Sequence, residues 1–216
     1  MKQISVRLAA TVLTFIIGLA AAAFWFTTPS RRFADDIYFP AGTFNPYEGE
    51  MNWIAKFYSG SLAAMREPPL SPIRDESVET YRFLWLRSFH PPVSVRLFRV
   101  NNLRLMSVKQ LSAGGSGMDG EAIFPKTLTV DEIRPVSAAE WEHFQALLTE
   151  ADFWSMPTEV SPKGLDGAGW LLEGVKSGRY HVVDRQSPEW GSYREACLYL
   201  LRVSGVEIDE SKGELY

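Results

Sequence analysis

The chain has 216 residues, 46% of them hydrophobic, with 22 Lys+Arg against 26 Asp+Glu and a single cysteine. That length buries a substantial core, the apolar fraction excludes global disorder, and one cysteine excludes an internal disulfide or a cysteine-built metal site. The net charge of −4, with no basic cluster, gives no footing for nucleic acid.

Charge is unevenly distributed. Residues 1–34 carry Lys2, Arg7, Arg31 and Arg32 and no acid, which leaves 18 basic against 26 acidic side chains over 35–216. An acidic body therefore follows a basic, apolar leader. Within the leader, Leu8 to Phe26 is an uncharged run of 19 residues. As a helix it spans roughly 28 Å, close to the hydrocarbon thickness of a bilayer. Phe24, Trp25 and Phe26 fall where an interfacial aromatic belt belongs, and basic residues flank both ends. The expectation is a membrane anchor through residues 8–26, with the acidic domain in the periplasm or outside the cell. Ala20 and Ala22 also satisfy the small-residue rule of a signal peptidase site, so a cleaved signal peptide is the competing reading.

Residues 35–75 read as linker and amphipathic helix, and 76–216 as the soluble α+β domain. Asn45-Pro46 suits a helix start, and Met51, Ile54, Phe57, Tyr58, Leu62 and Met65 recur at helical spacing up to the proline cluster at 68–72. Four apolar runs follow: 81–87, 93–100, 103–111 and 122–130, a meander with Asn101-Asn102 as a hairpin turn. Val93, Val95 and Leu97 alternate with Ser94 and Arg96, the pattern of a strand with one wet face. Ser137 to Glu140 matches a capping box and opens a helix to about Ala151. A second hairpin spans 170–185 around Ser177-Gly178. Ser192 to Glu195 matches a second capping box, and Gly205 ends the last helix. The expected fold is α+β: an antiparallel sheet, meander plus hairpin, with two or three packed helices behind one transmembrane helix.

Chemical motifs fail their context tests. Gly115 to Gly120 spells G-x-G-x-x-G, but the following stretch is strand-like and broken by Pro125, so no helix N-terminus meets a pyrophosphate. His90, His143 and His181 lie far apart, and neither metal nor cofactor is expected. If Ser177-Gly178 is a two-residue turn, His181 faces Gly174 on the side of Trp170, Leu172 and Val183, away from Glu173 and Asp184. A general base at His181 then needs a partner from elsewhere, with Asp166 and Cys197 the first suspects for a hydrolase assembled from distant residues. Cys197 itself sits on an apolar helix face, the setting of an inert thiol. Trp154, Trp170 and Trp190 flank the loops around the second hairpin and form the preferred binding surface.

Three phrases are distinctive together: Asp152-Phe153-Trp154 with Pro157, Leu165-Asp166-Gly167-Ala168 running through Trp170 to Gly174, and Tyr180-His181 with Arg185, Ser187 and Pro188. They resemble segments of small bacterial membrane-anchored proteins of unknown function over roughly residues 80–205. That resemblance implies no activity. The expectation is a membrane-anchored binding or interaction domain with a protein partner in the cell envelope, the hydrolase being the alternative.

Overall fold

The structure, a computed structural model, describes residues 38–44, 53–87, 90–112, 127–159 and 167–206. Its elements are α1 (Trp53–Ala64), β1 (Glu79–Arg87), β2 (Val93–Val100), β3 (Leu103–Leu111), β4 (Leu128–Pro135), α2 (Ala138–Glu150), a 3-10 turn at Phe153–Ser155, β5 (Ala168–Lys176), β6 (Arg179–Gln186) and α3 (Ser192–Ser204). The six strands form one antiparallel sheet in the order β4-β3-β2-β1-β5-β6. The α+β expectation holds for the domain. Among the described residues no helix is long and apolar enough to cross a membrane, and the run 8–26 lies outside them.

Turn chemistry sets the register. Ser177 and Gly178 both take positive φ, 51° and 70°, the geometry of the tight hairpin turn that matches strand twist. His181 accordingly pairs with Gly174 and Trp170 with Arg185, as the two-residue turn requires. Asn101 is left-handed at φ 55° and closes the β2–β3 hairpin. The fourth strand runs over Leu128–Pro135 rather than 122–130; residues 113–126, with the glycine-rich motif, lie outside the described residues.

Two helices cover one face of the sheet. Tyr81, Phe83, Trp85, Val95, Leu172 and Val183 pack there against Trp141, Phe144 and Leu148 of α2 and Ala196, Cys197 and Leu200 of α3. Each such aromatic or aliphatic side chain contributes on the order of 1.5–3 kcal/mol on burial. Ser137 forms the expected capping box: its Oγ accepts from the Glu140 N–H at 3.1 Å, and the Glu140 carboxylate accepts from the Ser137 N–H at 2.8 Å. The second box does not form. Helix α3 starts from Gly191, and Ser192 lies inside it with its hydroxyl 3.1 Å from a Glu150 oxygen. Gly205, at φ 77°, closes α3.

The opposite face is covered too. Ile54, Tyr58, Leu62 and Met65 pack with Phe39 and Phe44 onto Leu84, Leu86, Leu171 and Val182. Helix α1 is therefore part of the domain, not of a linker, and the proline cluster is no domain boundary. Phe57, expected on its apolar face, is 38% exposed instead. Because both faces are covered, every residue of β1 is buried. Arg96 and Ser94, expected at a wet face, lie beneath this cover.

Candidate functional site

Residues around β6 form an aromatic and basic corner. Asp152, left-handed at φ 49°, leads into the 3-10 turn that lays Phe153 and Trp154 against His181, with ring centroids 5.1 and 6.1 Å away. A side chain at Gly174 would place its Cβ 2.9 Å from Phe153 and 3.0 Å from Tyr81, so only glycine lets these rings close over the strand. Arg179 donates to the Trp154 carbonyl at 2.6 Å and lies over the Trp154 ring. Arg185 donates to the carbonyls of Pro157 and Thr158 at 2.9 Å each, and the Asp184 N–H donates to Thr158 at 2.7 Å. These bonds tie residues 157–158 along the outer edge of β6.

His181 is half-buried in this corner. Burial and the nearby Arg179 cation push its imidazole below the ordinary value, against the pull of the Met156 and Phe153 backbone carbonyls. Cys197 is completely buried in the helix-covered core, and burial pushes its thiol well up, so the nucleophilic thiolate is disfavoured there. Asp166 lies outside the described residues. The His181–Cys197 pairing of the hydrolase reading thus loses its nucleophile. Among the described residues no group of His, Cys, Asp and Glu has the geometry to hold a metal ion.

The three tryptophans do not form one surface. Trp170 is 1% exposed and stacks on Phe83 and Trp85 at 5.3 and 6.2 Å, which corrects its assignment as a contact residue: it is core. Trp154 is half-buried against the same core. Trp190 is 83% exposed. It sits on a built loop, in which the Ser187 N–H donates to Ala168 O at 2.8 Å and the Ala168 N–H donates to Ser187 Oγ at 2.9 Å. Gly191 beside it takes φ 106°, a conformation side chains avoid.

A second constellation escaped the sequence reading altogether. Arg82 of β1, Arg96 of β2 and Lys109 of β3 are buried side by side under the α1 cover, with Arg82 directly opposite Arg96. The end of α1 supplies their counter-charge. Arg66 turns left-handed (φ 54°), its N–H donates to Ala63 O, and the Glu67 N–H reaches back to Leu62 O. This is a Schellman closure with Arg66 in the position glycine usually takes. It aims Glu67 at the sheet, where Oε2 accepts from Arg96 Nε at 2.7 Å, with Arg82 Nη1 and Lys109 Nζ each 3.6 Å from the carboxylate. Burial alone would raise this carboxyl, but Arg96, Lys109 and Arg82 outweigh it and hold Glu67 below the usual range. Glu173 of β5 accepts from Arg82 Nε at 2.7 Å, from Arg82 Nη2 and from Tyr180 at 2.9 Å; here burial prevails and the carboxyl is raised. Tyr58 of α1 donates to Asp184 at 3.0 Å and fastens the same cover to β6.

No protein-family model matches this chain, and no curated protein matches it.

Proposed function

We propose that this is a membrane-anchored interaction domain of the cell envelope, held by residues 8–26 and docking a protein partner through the loop that carries Trp190. The single observation behind the reading is the 83% exposure of that indole on a loop whose base is hydrogen-bonded to β5. Tryptophans on ordered loops make effective contact residues because they bring large area at little entropic cost. The hydrolase alternative gains no support from Cys197, whose thiol is buried and raised.

The test compares detergent-solubilised membranes holding the tagged wild-type chain with those holding Trp190→Ala. The expected result is one or more envelope proteins that co-purify with the wild type and are lost from the variant at equal expression. The same partners with both chains would sink the Trp190 interface. Retention of the chain in membranes through a carbonate wash is expected in parallel, since apolar insertion is not screened by salt or alkali.

A further inference from the structure

The fold treats the two margins of the sheet differently. At β6 the outer edge is taken: the Asp184 N–H donates to Thr158 O at 2.7 Å, and Arg185 holds the carbonyls of Pro157 and Thr158. At β4 no strand or loop among the described residues pairs on the outer side, and Ile133 stands 41% exposed in its middle. The Val136 N–H donates to Arg104 O, so the even-numbered residues turn their main-chain groups towards β3. By alternation Asp131, Ile133 and Pro135 present theirs outward. Pro135 therefore sits where its missing N–H costs the ladder to β3 nothing.

An open margin of this kind accepts another extended strand, and its side chains decide which one. Two copies of β4 related by a two-fold axis pair antiparallel, and each choice of centre sets one residue against itself. The bulge at Thr129, between the pairs Gln110–Val130 and Leu111–Leu128, ends the regular edge on one side. Within that edge, a centre at Asp131, Glu132 or Arg134 brings like charges together, and a centre at Pro135 removes both central donors. Ile133 is the compatible centre. There the two Ile133 residues exchange two main-chain hydrogen bonds, and each Asp131 N–H meets Pro135 O of the other copy. Glu132 then stands opposite Arg134 on both flanks, in the closer kind of pair where side chains meet. Neither Glu132 nor Arg134 makes an ion pair among the described residues. Arg134 donates to the adjacent Pro135 carbonyl at 3.3 Å, a contact that leaves that oxygen a second lone pair.

We propose that β4 is the interface for a second copy of this chain, paired antiparallel about Ile133 so that two six-stranded sheets join edge to edge. A single strand pair buries modest area, so the dimer is of the exchanging kind whose population follows concentration. It uses none of the Trp190 loop and is tested separately from it.

Sedimentation equilibrium of the full-length chain in density-matched detergent is expected to show monomer and dimer exchanging at concentrations up to roughly 100 μM. Glu132→Arg or Arg134→Glu alone should weaken the dimer at least roughly tenfold, because each sets like charges opposite each other twice. The double exchange should restore it. A monomer throughout that range, a dimer indifferent to the single reversals, or a double exchange no better than the singles overturns the proposal. Register is read independently by mixing Glu132→Cys with Arg134→Cys, since the native Cys197 is buried. Mild oxidation should give a disulfide-linked dimer in the mixture and not with either variant alone, as only the mixture sets two thiols directly opposite. Equal crosslinking of one variant with itself, or none in the mixture, overturns the pairing even if the charge reversals fail to fold. A monomeric chain that captures another protein, and loses it with Ile133→Pro, would give the edge to a foreign strand and overturn the second-copy assignment.

Discussion

His181 shares one face of β6 with Arg185, pairs with Gly174, and meets Phe153, Trp154 and the Arg179 charge. Protonating it adds a third positive charge to a half-buried corner that already holds two guanidinium groups. Its native affinity for a proton is therefore below that of the unfolded chain, near the ordinary value of about 6.5. The sign follows by linkage: the unfolded state takes the proton first, so stability is complete above about pH 6.5 and falls as pH drops through that value towards the depressed native one. Chemical denaturation between pH 7 and 5 should show that loss in the wild type and a flatter profile in His181→Gln. Equal slopes would show that the corner does not sense the proton. Trp170, on the same sheet face in the neighbouring strand β5 and opposite Arg185, behaves differently. Its indole is 1% exposed and stacks on two aromatic rings, so Trp170→Ala should cost about 3–5 kcal/mol. His181→Ala, from a half-exposed site, should cost less. Midpoints measured in the same denaturant give the order, and the reverse order would contradict this packing.

Among the elements, the two serines that look alike in sequence separate cleanly. Ser137 accepts the Glu140 N–H and caps α2; Ser192 lies inside α3 and donates to Glu150 at the surface. Ser137→Ala should cost about 1 kcal/mol and Ser192→Ala a few tenths, read from thermal or denaturant midpoints. The pattern S-x-x-E is satisfied equally by both; the preceding Gly191, at φ 106°, decides that the second helix starts one residue earlier. The same kind of limit hid the cationic layer. Asn101-Asn102 fixes the β2–β3 register, which places Arg96 opposite Ser107 and Lys109 opposite Ser94. Strand alternation then assigns these polar residues to water. What alternation does not encode is a distant helix laid over that side, nor a Glu delivered into it from a proline-rich connector that reads as a boundary. The meander, the second hairpin and the capping box at Ser137 were legible because their signals are local. The layer under α1 was not, because it joins separate elements whose partners lie up to 91 residues apart.

For the molecule as a whole, the cover formed by residues 38–44 and 53–72 is the counterpart of the helix pair on the other side. A chain begun at residue 76, where composition shifts after the prolines, would uncover Leu84, Leu86, Leu171 and Val182 and strand Arg82 and Arg96 without Glu67. Such a chain should aggregate or unfold, since breaking a buried ion pair from one side typically costs about 3–5 kcal/mol and the exposed apolar area adds to it. A chain begun near Asp35 keeps the cover and should give a soluble, cooperatively unfolding domain. Size-exclusion chromatography and circular dichroism of the two chains make the comparison, and a well-folded chain from residue 76 would show that the cover is dispensable.

The strand order has a consequence in time. Strand β1 is central, yet only its β2 side is filled by its neighbour in sequence; the other side waits for β5, and the Arg82–Glu173 contact spans 91 residues. While the ribosome is still making the middle of the protein, the four-stranded meander can already exist, with β1 as an open margin whose amide and carbonyl groups face outward. Such a margin invites mispairing with other nascent chains. Strand β5 is what closes it, so the sheet can reach its native form only after residues 168–176 have been made. Arrest of translation before residue 168 should therefore leave a species recognised by chaperones.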